Sequence, residues 1–412
     1  MQITLNFLKK IIEKLHLWLG LASGLVVFVL GITGSIYTFE EELKSHFYKD
    51  KLKVEEEGIP LPLGTCYETI KGLNSVFDEM NEKFIKISTA KDYSILFTAY
   101  KEHETGSHFW LSDHIDYYLD FYVDPYSGKI IKAEDRTFEF FHVVIALHYC
   151  LFLDLSIGKP IVGWATLIFV ILLITGIVLW WPKNKKALKV NTWFRWKSTT
   201  KWKRKNYDLH NIVGFYSMFF ALIIALTGMM IALSWFSKSV SWLANGGETI
   251  EKEWVNYTSN NGDHIAAHPL DIIHKYLIDY HSDAKWYLIT LPQDSSGSVY
   301  TRVVYEYNER RKDVNINFDL YTGELLGIEE WKDKNNEDKV WAYNLDIHTG
   351  AIGGLVGKTI AFFLSLFSAS LPVTGFYIWW GRRKKKKAKP PRKIATRPKP
   401  AHVRPRIPSS SN

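Results

Sequence analysis

The sequence predicts an α-helical membrane protein, with four transmembrane helices in two parallel repeats and two small α+β extracytoplasmic domains. Three observations predict it. Four apolar runs, Leu17 to Phe39, Ile161 to Trp181, Val213 to Leu233 and Thr359 to Trp380, could each fill a hydrocarbon layer roughly 30 Å thick. Basic residues gather on one side of those runs. The second half of the chain echoes the first, motif by motif.

The first run is too long for the apolar core of a secretory leader, and no small-x-small cleavage pattern follows "GSIYTFEEEL", so it reads as an anchor that is retained. Orientation comes from charge. The linker "PKNKKALKVNTWFRWKSTTKWKRKN" holds ten Lys or Arg and no acid, "GRRKKKKAKPPRK" follows the fourth run, and Lys9, Lys10 and Lys14 precede the first. The positive-inside rule puts all three, and both termini, in the cytoplasm, which for a bacterial chain means the inner membrane. The sequence pI near 9.0 needs no nucleic acid, because the excess charge lies beside spans, where anionic lipid of the bilayer attracts it.

The elements then follow in order. Residues 1–39 form the N-terminus and first span, 40–140 the first outer domain, and 141–181 an outer-face segment with the second span. Residues 182–208 are the basic cytoplasmic linker and 209–233 the third span. Residues 234–345 form the second outer domain, 346–380 the second outer-face segment with the fourth span, and 381–412 a basic disordered tail. Each outer domain has a helix candidate followed by alternating strands. In the first, "YETIKGLNSVFDEMNE" precedes "KFIKIS", "YSILFTAY" and "YLDFYV"; in the second, "PLDIIHKYLIDYH" precedes "WYLITL", "SVYTRVVYEY" and "VNINF". Asp124 to Gly128 and Asp319 to Gly323 read as tight hairpin turns, with glycine supplying positive φ. Two cysteines, Cys66 and Cys150, are too few for a disulfide framework or a Cys-ligated metal site.

The internal echo is specific. "LHLWLGLASGLVVFVLGITG" aligns with "LHNIVGFYSMFFALIIALTG", and "ITGIVLWWPKNKK" aligns with "VTGFYIWWGRRKK". Both copies start inside, so the halves relate by an axis along the membrane normal. Equivalent histidines can then face each other across that axis. His16 and His210 open outward-running spans, near the cytoplasmic face; His148 and His348 precede inward-running spans, near the outer face. A desolvated imidazole keeps its neutral form and one lone pair, so each pair reads as the axial ligand set of one haem iron. Thr-Gly occurs in every span. Gly34 and Gly228 fall at the depth of His148 and His348, and Gly176 and Gly375 at the depth of His16 and His210. These glycines are expected to admit the porphyrin, while Thr33, Thr227, Thr175 and Thr374 bond to helix carbonyls or to the imidazoles. His142, six residues before His148, is the rival for the outer site, but only His148 aligns with His348.

His103, His108, His114, His264, His268, His274 and His281 read as surface residues, with a substrate or iron contact as the alternative. The stretch "GGLVGKT" is not a phosphate loop, since the first required glycine falls at Ile352. No dinucleotide fingerprint occurs, so an electron donor must be a separate partner, cytoplasmic or in the membrane.

"LHLWLGL", "LH" before a span ending "GIVLWWPK", "DLHNIVG", "IHTGAIGG" and the closing "TGFYIWW" together resemble the PepSY-associated transmembrane helix family, which includes inner-membrane ferric-siderophore reductases. The resemblance covers nearly the whole chain except the tail. It implies PepSY-like outer domains and two b-type haems, with His16, His210, His148 and His348 at the ligand positions. It further implies outward electron transfer that releases Fe(II) from a ferric siderophore or another Fe(III) chelate. Electrons are expected to enter at the His16–His210 site and leave from the His148–His348 site. The alternative is a PepSY-domain binding or regulatory membrane protein without redox activity. A transporter ranks last, because the spans hold almost no acidic residues to couple ions.

Overall fold

The computed structural model of the chain describes residues 2–55, 58–72, 86–103, 108–249, 257–259, 267–306 and 309–387. The long first helix α1 (Gln2–Thr38) leads through α2 (Glu40–Phe47) and α3 (Lys49–Leu52) to α4 (Leu63–Lys71). Four strands follow, β1 (Lys86–Thr89), β2 (Ile95–Glu102), β3 (Ile115–Val123) and β4 (Ile130–Asp135). The chain then returns through α5 (Phe140–Cys150) and α6 (Leu155–Trp180). After α7 (Lys185–Asn191), α8 (Trp202–Ala232) and α9 (Ser234–Ala244), the pattern continues with α10 (Pro269–Tyr280). Strands β5 (Trp286–Thr290), β6 (Val299–Val304), β7 (Val314–Phe318) and β8 (Leu325–Glu329) lead to α11 (Asn336–His348) and α12 (Gly354–Lys387).

Among the described residues four helices, α1, α6, α8 and α12, are long and apolar enough to cross a membrane. Helices α1 and α8 each pack against both α6 and α12, so they occupy opposite corners of a four-helix bundle. The outward faces keep large apolar side chains in the open, among them Leu25, Ile174, Phe219 and Phe363. That pattern suits lipid, which needs no polar surface on a span. Helix α12 continues through Arg382 to Lys387, a stretch expected to be disordered. Lys and Arg are good helix formers, and no proline interrupts them before Pro390. Residues 388–412 of the expected tail lie outside the described residues, as do residues 73–82 of the first helix candidate.

Among the described residues, all eight strands belong to one antiparallel sheet, ordered β4-β3-β2-β1-β5-β6-β7-β8. The segments expected to form two small α+β domains thus share one sheet, their strands joining at the β1–β5 seam. The physical reason is edge pairing. Alone, β1 and β5 would each expose a row of unpaired backbone groups, and joining them removes both edges. At the seam Ile87 lies opposite Ile289, and both are fully buried. A single apolar core spans the seam, taking Phe97 and Phe121 from one segment, Ile316 and Phe318 from the other, and Cys66, Ile70, Ile273 and Leu277 from α4 and α10. Period-two placement of Ile95, Phe97 and Ala99 along β2 explains why these side chains share one face.

The two expected turns close β3 to β4 and β7 to β8. The Asp124 carboxylate accepts from the Tyr126 amide at 2.8 Å and the Ser127 hydroxyl at 2.7 Å. Asp319 accepts from the amides of Tyr321 and Thr322 at 2.8 and 2.9 Å. Gly128 and Gly323 both adopt φ of 69°, the left-handed region that a Cβ disfavours. A third corner was not legible: between α5 and α6, Leu151 and Phe152 hold φ of 58° and 59° without being glycine. Asp154 then caps α6 by accepting from the Ser156 amide at 2.9 Å.

Candidate functional site

Opposite corners of the bundle bring His16 of α1 and His210 of α8 together, at the end that carries α7 and the basic segments. Their ring centroids are 6.3 Å apart and their planes nearly perpendicular, at 84°. Each ring is fixed by its Nδ1. His16 Nδ1 lies 2.9 Å from the Thr175 hydroxyl, and His210 Nδ1 lies 2.9 Å from the Thr374 hydroxyl. Those hydroxyls donate to the Ile171 and Ser370 carbonyls of their own helices, at 2.8 and 2.9 Å. Their protons are thus spent, and their oxygens can only accept from the imidazoles.

The other pair stands at the sheet end of the bundle. His148 of α5 and His348 of α11 have centroids 6.1 Å apart, with planes tilted by 56°. His148 Nδ1 meets the Thr33 hydroxyl at 3.2 Å and the Leu30 carbonyl at 3.1 Å. His348 Nδ1 meets the Thr227 hydroxyl at 3.0 Å and the Ile224 carbonyl at 3.1 Å. A carbonyl only accepts, so both rings carry their proton on Nδ1. In each of the four histidines the lone pair is consequently left on Nε2, the nitrogen a metal would take.

The glycines explain how the rings reach these seats. A Cβ at Gly34 would lie 2.9 Å from His148 Cε1, and one at Gly228 would lie 3.2 Å from His348 Cε1. At Gly375 and Gly176 the distances to Cε1 of His210 and His16 are 3.3 and 3.5 Å. Each glycine therefore makes room for an imidazole edge supplied by a neighbouring helix. Beside the His16–His210 pair opens a cavity of about 440 Å³, a volume within the range of small-ligand and cofactor sites. Aromatic rings of Trp180, Phe215 and Trp379 line it, and Lys9 and Arg382 border it. Trp180 and Phe215 stack face to face at 3.8 Å, which keeps that wall flat.

Residues 14–382 match the PepSY-associated TM region. The chain belongs to that family. It is a PepSY-associated membrane protein, and no curated protein matches it.

Within this PepSY-associated chain, His142 is separated from the paired histidines. Its Nδ1 contacts the Thr137 carbonyl at 2.9 Å and its ring meets Tyr118 of the sheet edge-on at 5.2 Å. Burial lowers its pKa, an effect the Thr137 contact only partly opposes. Several histidines expected at the surface are instead engaged. His268 caps α10 by accepting from the Leu270 amide at 3.2 Å, and His281 contacts the Tyr305 hydroxyl at 2.6 Å. His274 meets Tyr287 edge-on at 6.3 Å. His103, His108 and His114 form a cluster of their own, and His264 lies outside the described residues.

Two residues next to the paired histidines escaped the sequence reading. Asn206 donates to the Thr374 carbonyl at 2.9 Å, and Asn344 donates to the Thr227 carbonyl at 3.1 Å. Both are buried, and both stand four residues before a histidine, on the same helix face. The signal was available as "NYDLH" and "NLDIH", which share Asn at the fourth position before His. The equivalent positions of the first half hold Ile12 and Val144, so alignment of the halves did not reveal it.

Proposed function

We propose that this PepSY-associated protein carries two b-type haems and passes electrons across the bacterial inner membrane to an Fe(III) chelate such as a ferric siderophore, releasing Fe(II). In this reading the chain consists of two parallel repeats with PepSY-like outer segments, and both termini face the cytoplasm. The observation that carries the reading is the geometry of the two histidine pairs. Metal–imidazole bonds of about 2 Å on either side of one iron leave ring centroids about 6 Å apart, and the pairs stand at 6.3 and 6.1 Å. A haem iron held by each histidine pair would supply one-electron transfer there.

The protein's own residues do the positioning. His16 and His210 present Nε2 from opposite corners, while Thr175 and Thr374 hold Nδ1 and fix each ring's rotation. His148 and His348 do the same at the other depth, with Thr33 and Thr227 behind them. Apolar helix walls exclude water, and the basic residues Lys9 and Arg382 flank the cavity, where they favour carboxylates on a ligand. Electrons come from a separate donor on the cytoplasmic side or within the membrane.

Reduced-minus-oxidised spectra of the purified protein, with haem counted against protein, test the assignment. Two haems per chain are expected, and replacing His16 or His210 should remove one while sparing the other. The reduced protein, mixed with ferric chelates and an Fe(II)-trapping dye, should be oxidised as Fe(II) appears. A folded, colourless protein would instead support the binding or regulatory reading.

A further inference from the structure

The loop joining β2 to β3 gathers three histidines away from the bundle axis. His103 and His108 stack with centroids 5.7 Å apart, and His108 and His114 meet edge-on at 5.6 Å. The loop's ends are tied, because the His103 amide donates to the His114 carbonyl at 3.0 Å. The middle is anchored too: the Leu111 amide donates to the Phe152 carbonyl of the α5–α6 corner at 3.1 Å, and the Asp154 amide of that corner donates to the Phe109 carbonyl of the loop at 2.9 Å. These bonds fix the backbone at His103 and His114 and at Phe109 and Leu111, next to His108.

Carboxylates back two of the rings. His103 Nδ1 lies 2.8 Å from Asp116 Oδ1, and His114 Nε2 lies 3.2 Å from Glu102 Oε2. A carboxylate on one ring nitrogen fixes the proton there and raises the basicity of the other, which is how metal-binding histidines are supported. His103 Nε2 and His114 Nδ1 are the nitrogens left over. His108 Nε2 is buried and has no hydrogen-bond partner among the described residues, an arrangement that costs free energy unless something occupies that lone pair or proton.

We propose that His103, His108 and His114 bind one divalent first-row transition-metal ion at this loop. Imidazole nitrogen suits such ions, and three histidines with an open fourth position is a known ligand count for them. Among the described residues no three acidic, His or Cys side chains are already gathered tightly enough to hold an ion. Tetrahedral imidazoles at about 2 Å from a metal leave their centroids about 5 Å apart, against 5.7 Å for His103–His108 and 5.6 Å for His108–His114, so binding requires His103 and His114 to turn and move toward His108. The half-exposed side chain of His103 leaves room for that movement. The proposal is independent of the haem assignment.

The test is equilibrium dialysis of the full chain in detergent, prepared without a histidine tag, against Zn(II), with bound metal counted by atomic emission. Saturable binding of one Zn(II) that depends on the loop is expected. His108→Ala should weaken it at least tenfold, and His103→Ala with His114→Ala should abolish it. His281→Ala, away from the loop, should leave it unchanged. Should His108→Ala fail to fold, Glu102→Gln with Asp116→Asn keeps every ring and must still weaken Zn(II) several-fold. Absence of saturable Zn(II) binding by the wild-type chain, or equal binding by the loop variants, overturns the proposal.

Discussion

Replacing the four Thr-Gly glycines one at a time by alanine should produce a graded loss whose order follows from the distances. An added methyl at Gly34 would stand 2.9 Å from His148 Cε1 and 3.3 Å from its Nδ1. Carbon atoms prefer about 3.5–4.0 Å, so the ring must retreat by about 0.6–1 Å. It cannot do so freely. Its Nδ1 is held by Thr33 and by the Leu30 carbonyl, both on the helix that bears Gly34, so moving away from the methyl stretches both bonds. Overpacking costs about 1–3 kcal/mol and each of the two weakened hydrogen bonds roughly 1 kcal/mol, giving a loss on the order of 3–5 kcal/mol. At Gly228 and Gly375 the closest approaches are 3.2 and 3.3 Å, and a few tenths of an ångström suffice. At Gly176 the single neighbour, His16 Cε1, is 3.5 Å away, an ordinary contact. Thermal unfolding followed by tryptophan fluorescence, together with the haem count per chain, should rank the variants Gly34→Ala worst and Gly176→Ala nearly silent. Four indistinguishable variants, or Gly176→Ala as the most damaging, would refute the idea that these glycines seat the imidazoles.

Stability should depend on pH through Asp313, a buried carboxyl whose Oδ1 has no partner and whose Oδ2 is 3.5 Å from Arg302 Nε. Burial pushes this group from its ordinary 3.8 up to about 7, outweighing Arg302 and Lys334. The folded chain thus holds the proton more tightly than the unfolded one, so the contribution is complete below about pH 4 and is lost as pH rises through about 7. Asp313→Asn, neutral throughout, should flatten the slope of thermal stability across that window, by up to roughly 4 kcal/mol; an unchanged slope would show that another group sets it. Truncating the seam with Ile289→Ala should cost about 2–5 kcal/mol and destabilise both strand segments in one transition, read by hydrogen exchange. Loss of protection confined to β5–β8 would mean that the segments are independent after all. Asn344→Ala should leave the Thr227 carbonyl without its side-chain donor and lower stability by about 1–3 kcal/mol, whereas Val144→Ala at the corresponding place should act only through lost apolar packing.

The spans, the strands and the two Asp-initiated turns were legible because each obeys a local rule. Twenty apolar residues, alternation with period two, and Asp followed four residues later by glycine need no knowledge of the rest of the chain. Apposition of His16 with His210 was also readable, since aligning the halves and assigning the direction of each span puts both at one depth. What was hidden depends on tertiary pairing. Nothing local in "KFIKIS" or "WYLITL" says that these two strands pair with each other. The Leu151–Phe152 corner lacks the glycine that normally announces left-handed backbone. That the Thr-Gly glycines also seat the histidine edges is a fit that only the helix-to-helix distances reveal.

The two halves reach the same arrangement with unequal support. Each histidine is tied through Nδ1 to a threonine of another helix, and that threonine's hydroxyl is itself tied back into its helix, so the ring, the tautomer and the helix spacing are set together. In the second half Asn206 and Asn344 add a further bond to the backbone of the Thr-Gly helix, from the same helix face as the histidine. Ile12 and Val144 leave the first half without it. Because a buried amide must find partners or lose about 1–3 kcal/mol, the asparagines lock α8 to α12 and α11 to α8 in one register, while α1 and α5 are tied at these places only by the Nδ1 bonds of His16 and His148. The second half is therefore the stiffer frame. The extra tie lies beside His210 and His348, whereas His16 and His148 keep only the partners of their own Nδ1 atoms.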